Sequence, residues 1–242
     1  MDNSKTFYEA EADTYDRRRW LTPAGRMVNA GQTEILKNFI YHMSNYKILE
    51  IAAGTGRFTE ILLDQKNIVT ALDISASMLQ QLKRRLSGHP NFNQLLTIVG
   101  DARSIQLPSS SVDVVLCFNA LSHISEHERV FREVQRVLKP DGLFLFNIPN
   151  YLSLYFPFGV YVNLRKMSVT RDVFTKWYTH NEIKTDLEKI GFKILDIKGQ
   201  LHVPTKTPSF ILPLVKVIDS KVRNTPISAI APILFVKAVK IN

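Results

Sequence analysis

The chain has 242 residues, of which 45% are hydrophobic, a formal net charge of +9 and one cysteine. A single cysteine excludes a disulfide framework, and no apolar run reaches the roughly 18 residues that a membrane-spanning helix needs. The first residues are polar rather than arranged as a signal peptide, and Cys117 lies within an apolar strand pattern, so a cytoplasmic chain with Cys117 in its core is expected.

No Pro/Gly/Ser-rich linker or internal repeat divides the sequence, and one domain over residues 1–242 is expected. Residues 1–45 read as a helical cover, with Met27, Gly31, Ile35, Phe39 and Met43 on one face. A first apolar strand, Ile48 to Ile51, contains Glu50 and runs into Ala52-Ala53-Gly54-Thr55-Gly56, after which a helix begins. Glycine tolerates positive φ and has no Cβ, so Gly54 and Gly56 permit a sharp turn close to a ligand; alone, the pattern also fits an ordinary tight connection. A second strand, Ile68 to Leu72, ends in Asp73-Ile74; a third, Leu95 to Val99, ends in Gly100-Asp101-Ala102; a fourth, Val112 to Phe118, ends in Asn119-Ala120-Leu121-Ser122-His123. Ligands of open parallel sheets bind outside the carboxyl ends of the strands, so four polar strand ends in succession suit one shared crevice.

Ser125-x-x-Glu128 reads as a capping box opening a helix that Pro140-Asp141-Gly142 stops, and Leu143 to Ile148 as a strand buried on both faces. Residues 46–150 thus alternate strand and helix, the pattern of a parallel sheet with helices on both sides. Residues 151–180 are dense in aromatics, including Tyr151, Tyr155, Phe156, Phe158, Tyr161, Phe174, Trp177 and Tyr178. They are expected either to form a lid over an acceptor or to pack a satellite core. In residues 181–242, a second capping box, Thr179-x-x-Glu182, opens a helix ending at Gly191, and Phe192 to Ile197 and Ile233 to Ile241 are strands. The apolar stretch Phe210 to Ile218, with Lys206 and Lys216 nearby, reads as pocket wall, dimer contact or membrane-surface contact.

Glu50-x-Ala52-x-Gly54-x-Gly56, Asp73-Ile74-Ser75, Gly100-Asp101-Ala102 and Arg136-Val137-Leu138-Lys139-Pro140-Asp141-Gly142 together resemble the class I S-adenosylmethionine-dependent methyltransferases. The similarity is closest to the small-molecule branch, which includes ubiquinone, menaquinone and natural-product methyltransferases. Ala52 stands where that family often has a glycine. The resemblance implies a Rossmann-like, doubly wound sheet of seven strands, mostly parallel with an antiparallel last strand. It implies S-adenosylmethionine as cofactor and S-adenosylhomocysteine as product, with Glu50 and the Gly54-Thr55-Gly56 turn at the methionyl part and Asp73 at the ribose hydroxyls. It further places Ile74 and Met78 around adenine, Asp101 and Ala102 at its edge, and Ala52, Gly100 and Asn119 along the same crevice. Tyr15-Asp16-x-x-Arg19-Trp20 resembles the segment that closes over the cofactor in relatives, which brings Tyr15 and Arg19 into the site. No metal is implied.

Methyl transfer from a sulfonium is an in-line displacement, so positioning supplies most of the catalysis and few residues need be chemical. His123, at the crevice, is the first candidate for a base that deprotonates an oxygen acceptor, and His180 the second. The acceptor is expected to be a small or lipid-like molecule. Residues 151–242 carry 14 Lys and Arg against 6 Asp and Glu, while residues 1–150 carry 17 against 16. That asymmetry suits either an anionic acceptor or a solvated basic surface. Three other functions compete. A nicotinamide-dependent oxidoreductase would want a small residue where Thr59 stands. A nucleic-acid methyltransferase is disfavoured by Cys117-Phe118-Asn119-Ala120, which lacks the Asn/Asp-Pro-Pro-aromatic element of enzymes acting on base amines. A non-catalytic cofactor-binding scaffold would bind without turnover.

Overall fold

The computed structural model describes residues 4–153, 157, 176–201, 203–204, 207–223 and 225–241. Seven strands form one sheet: β1 (Lys47–Ile51), β2 (Ile68–Asp73), β3 (Leu95–Val99), β4 (Val112–Cys117), β5 (Leu138–Pro149), β6 (Phe192–Gln200) and β7 (Ile233–Lys240). Their order is β3-β2-β1-β4-β5-β7-β6. The pairs among β1 to β5 are parallel, and β7 runs antiparallel to both β5 and β6. This is the doubly wound, Rossmann-like arrangement expected of the sequence.

Alternation along the strands separates two cores. Leu49, Ile51, Val115, Cys117, Phe144 and Phe146 face α6 (His127–Val137) and α7 (His180–Lys189). Ile48, Val69, Val114, Leu116 and Leu145 face α3 (Pro23–Phe39), α4 (Arg57–Asp64) and α5 (Ala76–Leu86). Both faces of the central strands are therefore dry, which explains their near-continuous apolar sequence. A third, smaller cluster joins Ala24, Val203 and Leu212, the last being the first residue of α8 (Leu212–Arg223).

Local sequence sets three of the helix starts. Thr22 accepts from the Gly25 amide ahead of Pro23, Ser75 accepts from the Met78 amide, and Thr179 and Glu182 form a reciprocal capping box. The Ser125-x-x-Glu128 box does not form. Glu126, at φ 57°, occupies the cap position of α6 without a side-chain cap bond, and the Ser125 hydroxyl accepts instead from Arg103. The tertiary partner wins because a guanidinium supplies a charge-assisted bond that a helix amide cannot match. The helix also ends at Val137, short of Pro140-Asp141-Gly142. These three residues lie within β5, where a register shift against β4 and a φ of 59° at Asp141 absorb them.

The N-terminal cover comprises α1 (Ser4–Glu11), α2 (Tyr15–Arg19) and α3. Glu9 of α1 accepts from the amides of Ala76 and Ser77, so its carboxylate sits at the positive end of α5. The hydrogen bonds with Ser77 lower the Glu9 pKa. Of the aromatic segment, Tyr155, Phe156, Phe158, Tyr161 and Phe174 lie outside the described residues, as does Lys206. Tyr178 is fully buried beneath α6 and belongs to the core, not to a covering loop.

Candidate functional site

The strand order reverses direction between β1 and β4, so loops leaving their carboxyl ends diverge and open a crevice. A solvent-open cavity of about 730 Å³ lies there. The β1 turn contributes Ala52 and Gly54, β2 contributes Asp73 and Ile74, and Met78 enters from α5. Gly100, Asp101 and Ala102 come from the end of β3, and Asn119 and His123 from the end of β4. Tyr15 closes the cavity from α2.

The glycines of the first turn do different work. Gly54 has φ 56°, and a Cβ built on it would meet nothing within 4 Å, because that side faces the cavity. Gly56 has φ 83°, and a Cβ there would lie 2.7 Å from Leu82 Cγ, because this residue packs the start of α4 against α5. Ala52 adopts φ 54° despite its methyl group.

Asp73 joins two turns: one carboxylate oxygen accepts from the Gly54 amide at 2.8 Å and the other from the Ser75 amide at 2.9 Å. Burial raises its pKa against those two bonds. Glu50 lies beneath the turn and does not line the cavity; it is 2% exposed and accepts from the Thr59 hydroxyl at 2.6 Å. Burial pushes its pKa up to about 8, opposed by the Thr59 bond and the Arg57 charge. Thr59 is thus committed to Glu50 at the position where a dinucleotide turn would want a small residue.

Asp101 accepts from the Arg103 side chain and amide. Burial pushes the Asp101 pKa upward, but the Arg103 bonds and charge outweigh it and the net shift is downward. Asn119, at φ 58°, exchanges side-chain hydrogen bonds with Gln32, accepts one from the Asn147 side-chain amide, and donates its backbone N–H to Asn147 Oδ1. Thr55 donates to Asp16 at 2.7 Å and lines a smaller adjoining cavity of about 350 Å³.

Arg19, Gly56 and His180 line neither cavity. The Arg19 guanidinium lies 4.7 Å from the Tyr15 ring centroid. His180 is the first residue of α7, on the far side of β5. Sequence reasoning missed Ser4, Tyr8 and Arg103, which also line the larger cavity, and Arg57, which lines the smaller one together with Trp20 of the closing segment. Arg103 lies two residues past Asp101, and that spacing was the available signal; Ser4 and Tyr8 arrive through α1 docking and left none. Among the described residues, no group of three or more His, Cys, Asp or Glu side chains could hold a metal, and no helix is long and apolar enough to cross a membrane.

The sheet order, the glycine turn and the acidic strand ends define a class I methyltransferase fold. Residues 49–146 match the family model described as a methyltransferase domain. The chain is 28% identical to the demethylmenaquinone methyltransferase of Symbiobacterium thermophilum, over 65% of this chain and 64% of that protein. Among solved structures, one described as an S-adenosylmethionine-dependent methyltransferase, possible histamine N-methyltransferase, from Thermotoga maritima has a TM-score of 0.71 at 17% identity, over 98% of this chain and 99% of that one. A Haemonchus contortus N-methyltransferase, solved with phosphomonomethylethanolamine and S-adenosylhomocysteine, has a TM-score of 0.66 at 18% identity, over 99% of this chain and 59% of that one. The chain spans less than two thirds of the length of the first curated relatives it matches.

Proposed function

We propose that the chain binds S-adenosylmethionine in the larger cavity and methylates an oxygen of a small or lipid-like acceptor. The observation that carries this reading is the convergence of Gly54, Asp73, Met78, Asp101, Ala102 and Asn119, from four strand ends, on one crevice. The open face of Gly54 is a cradle that any Cβ would fill. The Asp73 carboxylate keeps lone pairs beyond its two amide bonds for ribose hydroxyls, Ile74 and Met78 are apolar walls for adenine, and Asp101 and Ala102 meet its edge. Glu50 braces the methionyl end through the turn above it, and Tyr15 and Arg19 close over it from the cover.

The bound sulfonium supplies a methyl group for in-line displacement. The residues hold donor and acceptor together and exclude water, which contributes more than any proton transfer. His123, at the cavity wall, accepts the proton of an acceptor hydroxyl. The basic C-terminal half favours an anionic acceptor, and exposed Phe210, Leu214 and Val217 near Lys216 suit a lipid-like one presented at a membrane surface. The quinone-directed name of the Symbiobacterium relative supports the lipid-like class.

Calorimetric titration with S-adenosylmethionine, S-adenosylhomocysteine and NAD tests the cofactor. Binding of the two adenosyl compounds alone is expected; silence toward both sinks the reading, and binding without turnover on any acceptor supports a scaffold. Asp73→Ala is expected to weaken S-adenosylhomocysteine roughly 10- to 100-fold, since a charged hydrogen-bond acceptor is lost; unchanged affinity would remove Asp73 from the ribose. His123→Ala is expected to lower kcat by roughly 10²- to 10⁴-fold while cofactor affinity stays unchanged.

A further inference from the structure

Arg57 is the first residue of α4, 8% exposed, and its guanidinium lies between two rings, 3.7 Å from the Trp20 centroid and 4.1 Å from that of Phe58. Its hydrogen bonds go to the side-chain oxygens of Asn29 and Gln32, both neutral amides. Two of five guanidinium donors are thereby engaged, and no carboxylate lies within ion-pair distance of Arg57 among the described residues.

A buried cation held by neutral partners is costly, because amide dipoles do not replace a counter-ion in a low-dielectric setting. The nearest acids do not supply one. Glu50 is driven toward its protonated form by burial, and Asp16 is shared between Thr55 and Arg85. Burial lowers the Arg57 pKa only to about 10, so the charge persists at neutral pH. Arg57 also forms part of the wall of the smaller cavity, which is otherwise lined by aromatics such as Trp20, Phe58 and Phe118, by the glycine turn and by Asn119. Tyr15, Ala52, Gly54 and Asn119 line this cavity and the larger one alike, so the two share a boundary.

We infer that Arg57 and Trp20 form a carboxylate-binding site in the smaller cavity, with the guanidinium fork as its cation and the indole face fixing the plane of that fork. The inference deepens the methyltransferase reading and rests on it for the position of the reacting atoms. The carboxylate has two possible sources, the aminoacyl end of the cofactor or an acidic acceptor.

Calorimetry on the full chain separates them. Wild type, Arg57→Gln and Arg57→Lys are titrated with S-adenosylhomocysteine, with 5′-methylthioadenosine, which lacks the carboxylate, and with benzoate against benzamide in the presence of saturating 5′-methylthioadenosine. A loss on the order of tenfold or more for S-adenosylhomocysteine in Arg57→Gln, with 5′-methylthioadenosine unchanged and Arg57→Lys intermediate, identifies the cofactor's carboxylate. Unchanged adenosyl affinities with benzoate binding lost, and no response to benzamide in any form, identify an acidic acceptor. Parallel weakening of both adenosyl compounds, or no change for any ligand, overturns the site. Should both variants fail to melt cooperatively, wild type is titrated with the carboxamide of S-adenosylhomocysteine and with benzoate. Affinity equal to the acid's, with no preference for benzoate over benzamide, overturns the site; tenfold weaker binding of the carboxamide, or binding of benzoate alone, supports it. Failure of the cofactor reading is distinct, because wild type would then bind none of the adenosyl compounds; benzoate and benzamide are then titrated alone, and benzoate binding that Arg57→Gln abolishes supports the site while its absence overturns it.

Discussion

On one side of the sheet, β1 to β4 end in turns whose backbone amides are held at a cavity by side chains: Asp73 on Gly54 and Ser75, Asp101 on Arg103, and Asn147, reaching over from β5, on Asn119. On the other side, β5, β6 and β7 carry similar residue types that act as struts. Asn150 donates to the carbonyls of Ala229 and Ala231, Lys240 to those of Gln135 and Leu138, and Lys237 to that of Phe39. Parallel strands that diverge at a change of winding leave polar ends facing a crevice, whereas an antiparallel pair turns its ends back onto neighbouring backbone. Part of the C-terminal positive charge is therefore consumed internally. Arg223 likewise pairs with Asp219 and Glu34.

Glu50 offers the largest test, because it is the buried acid of the crevice half. Its folded pKa of about 8 lies above the ordinary 4.5, so the stability associated with its proton is fully present below about pH 4.5 and is lost as pH rises through 8. Glu50→Gln keeps an acceptor for Thr59 and is expected to match wild type near pH 4 and exceed it by roughly a few kcal/mol at pH 9, measured from urea midpoints. Lower stability of the variant at pH 9 would mean that attraction between Glu50 and Arg57 dominates.

The paired glycines sharpen the contrast between cavity and core. Gly56→Ala combines positive φ with a clash on Leu82 and should cost roughly 2–4 kcal/mol by thermal or chemical unfolding. Gly54→Ala meets open space and should cost about 1–2 kcal/mol while sharply weakening S-adenosylhomocysteine. Equal effects on stability would erase the distinction between a packing glycine and a cavity-facing one.

The two capping sequences give the smallest effects. Thr179→Ala is expected to lose about 1 kcal/mol, since both reciprocal bonds exist. Ser125→Ala should change stability by about 0.5 kcal/mol or less, its hydroxyl being a half-buried partner of Arg103 rather than a cap.

Seven strands, their alternation of faces and the acidic or glycine-bearing strand ends were legible from sequence, because period, turn residues and apolar runs are local properties of the chain, whereas the antiparallel last strand was implied only by the family resemblance. The same local signals misplaced the start of α6 and its end, where Arg103 and the β4 pairing compete with helix propensity. Tyr178 read equally as lid or as core packing, and its ring is fully buried; an aromatic in a connection carries no mark of which way it faces.

The site divides in the same way. Residues contributed by one turn, such as Gly54, Asp73 and the Gly100-Asp101-Ala102 run, declare themselves by type and spacing. Tyr8 and Ser4 enter the cavity through docking of α1 on α5, and Trp20 meets Arg57 across 37 positions of sequence, counted from 20 to 57. Sequence by itself determined the strands and the turns at their ends, since those follow from short-range periodicity and backbone sterics. Only the tertiary structure decided which polar groups face the crevice and which are spent as struts, and that Arg57 is a buried cation with no carboxylate in ion-pair distance among the described residues, because burial and charge pairing depend on neighbours brought together by packing.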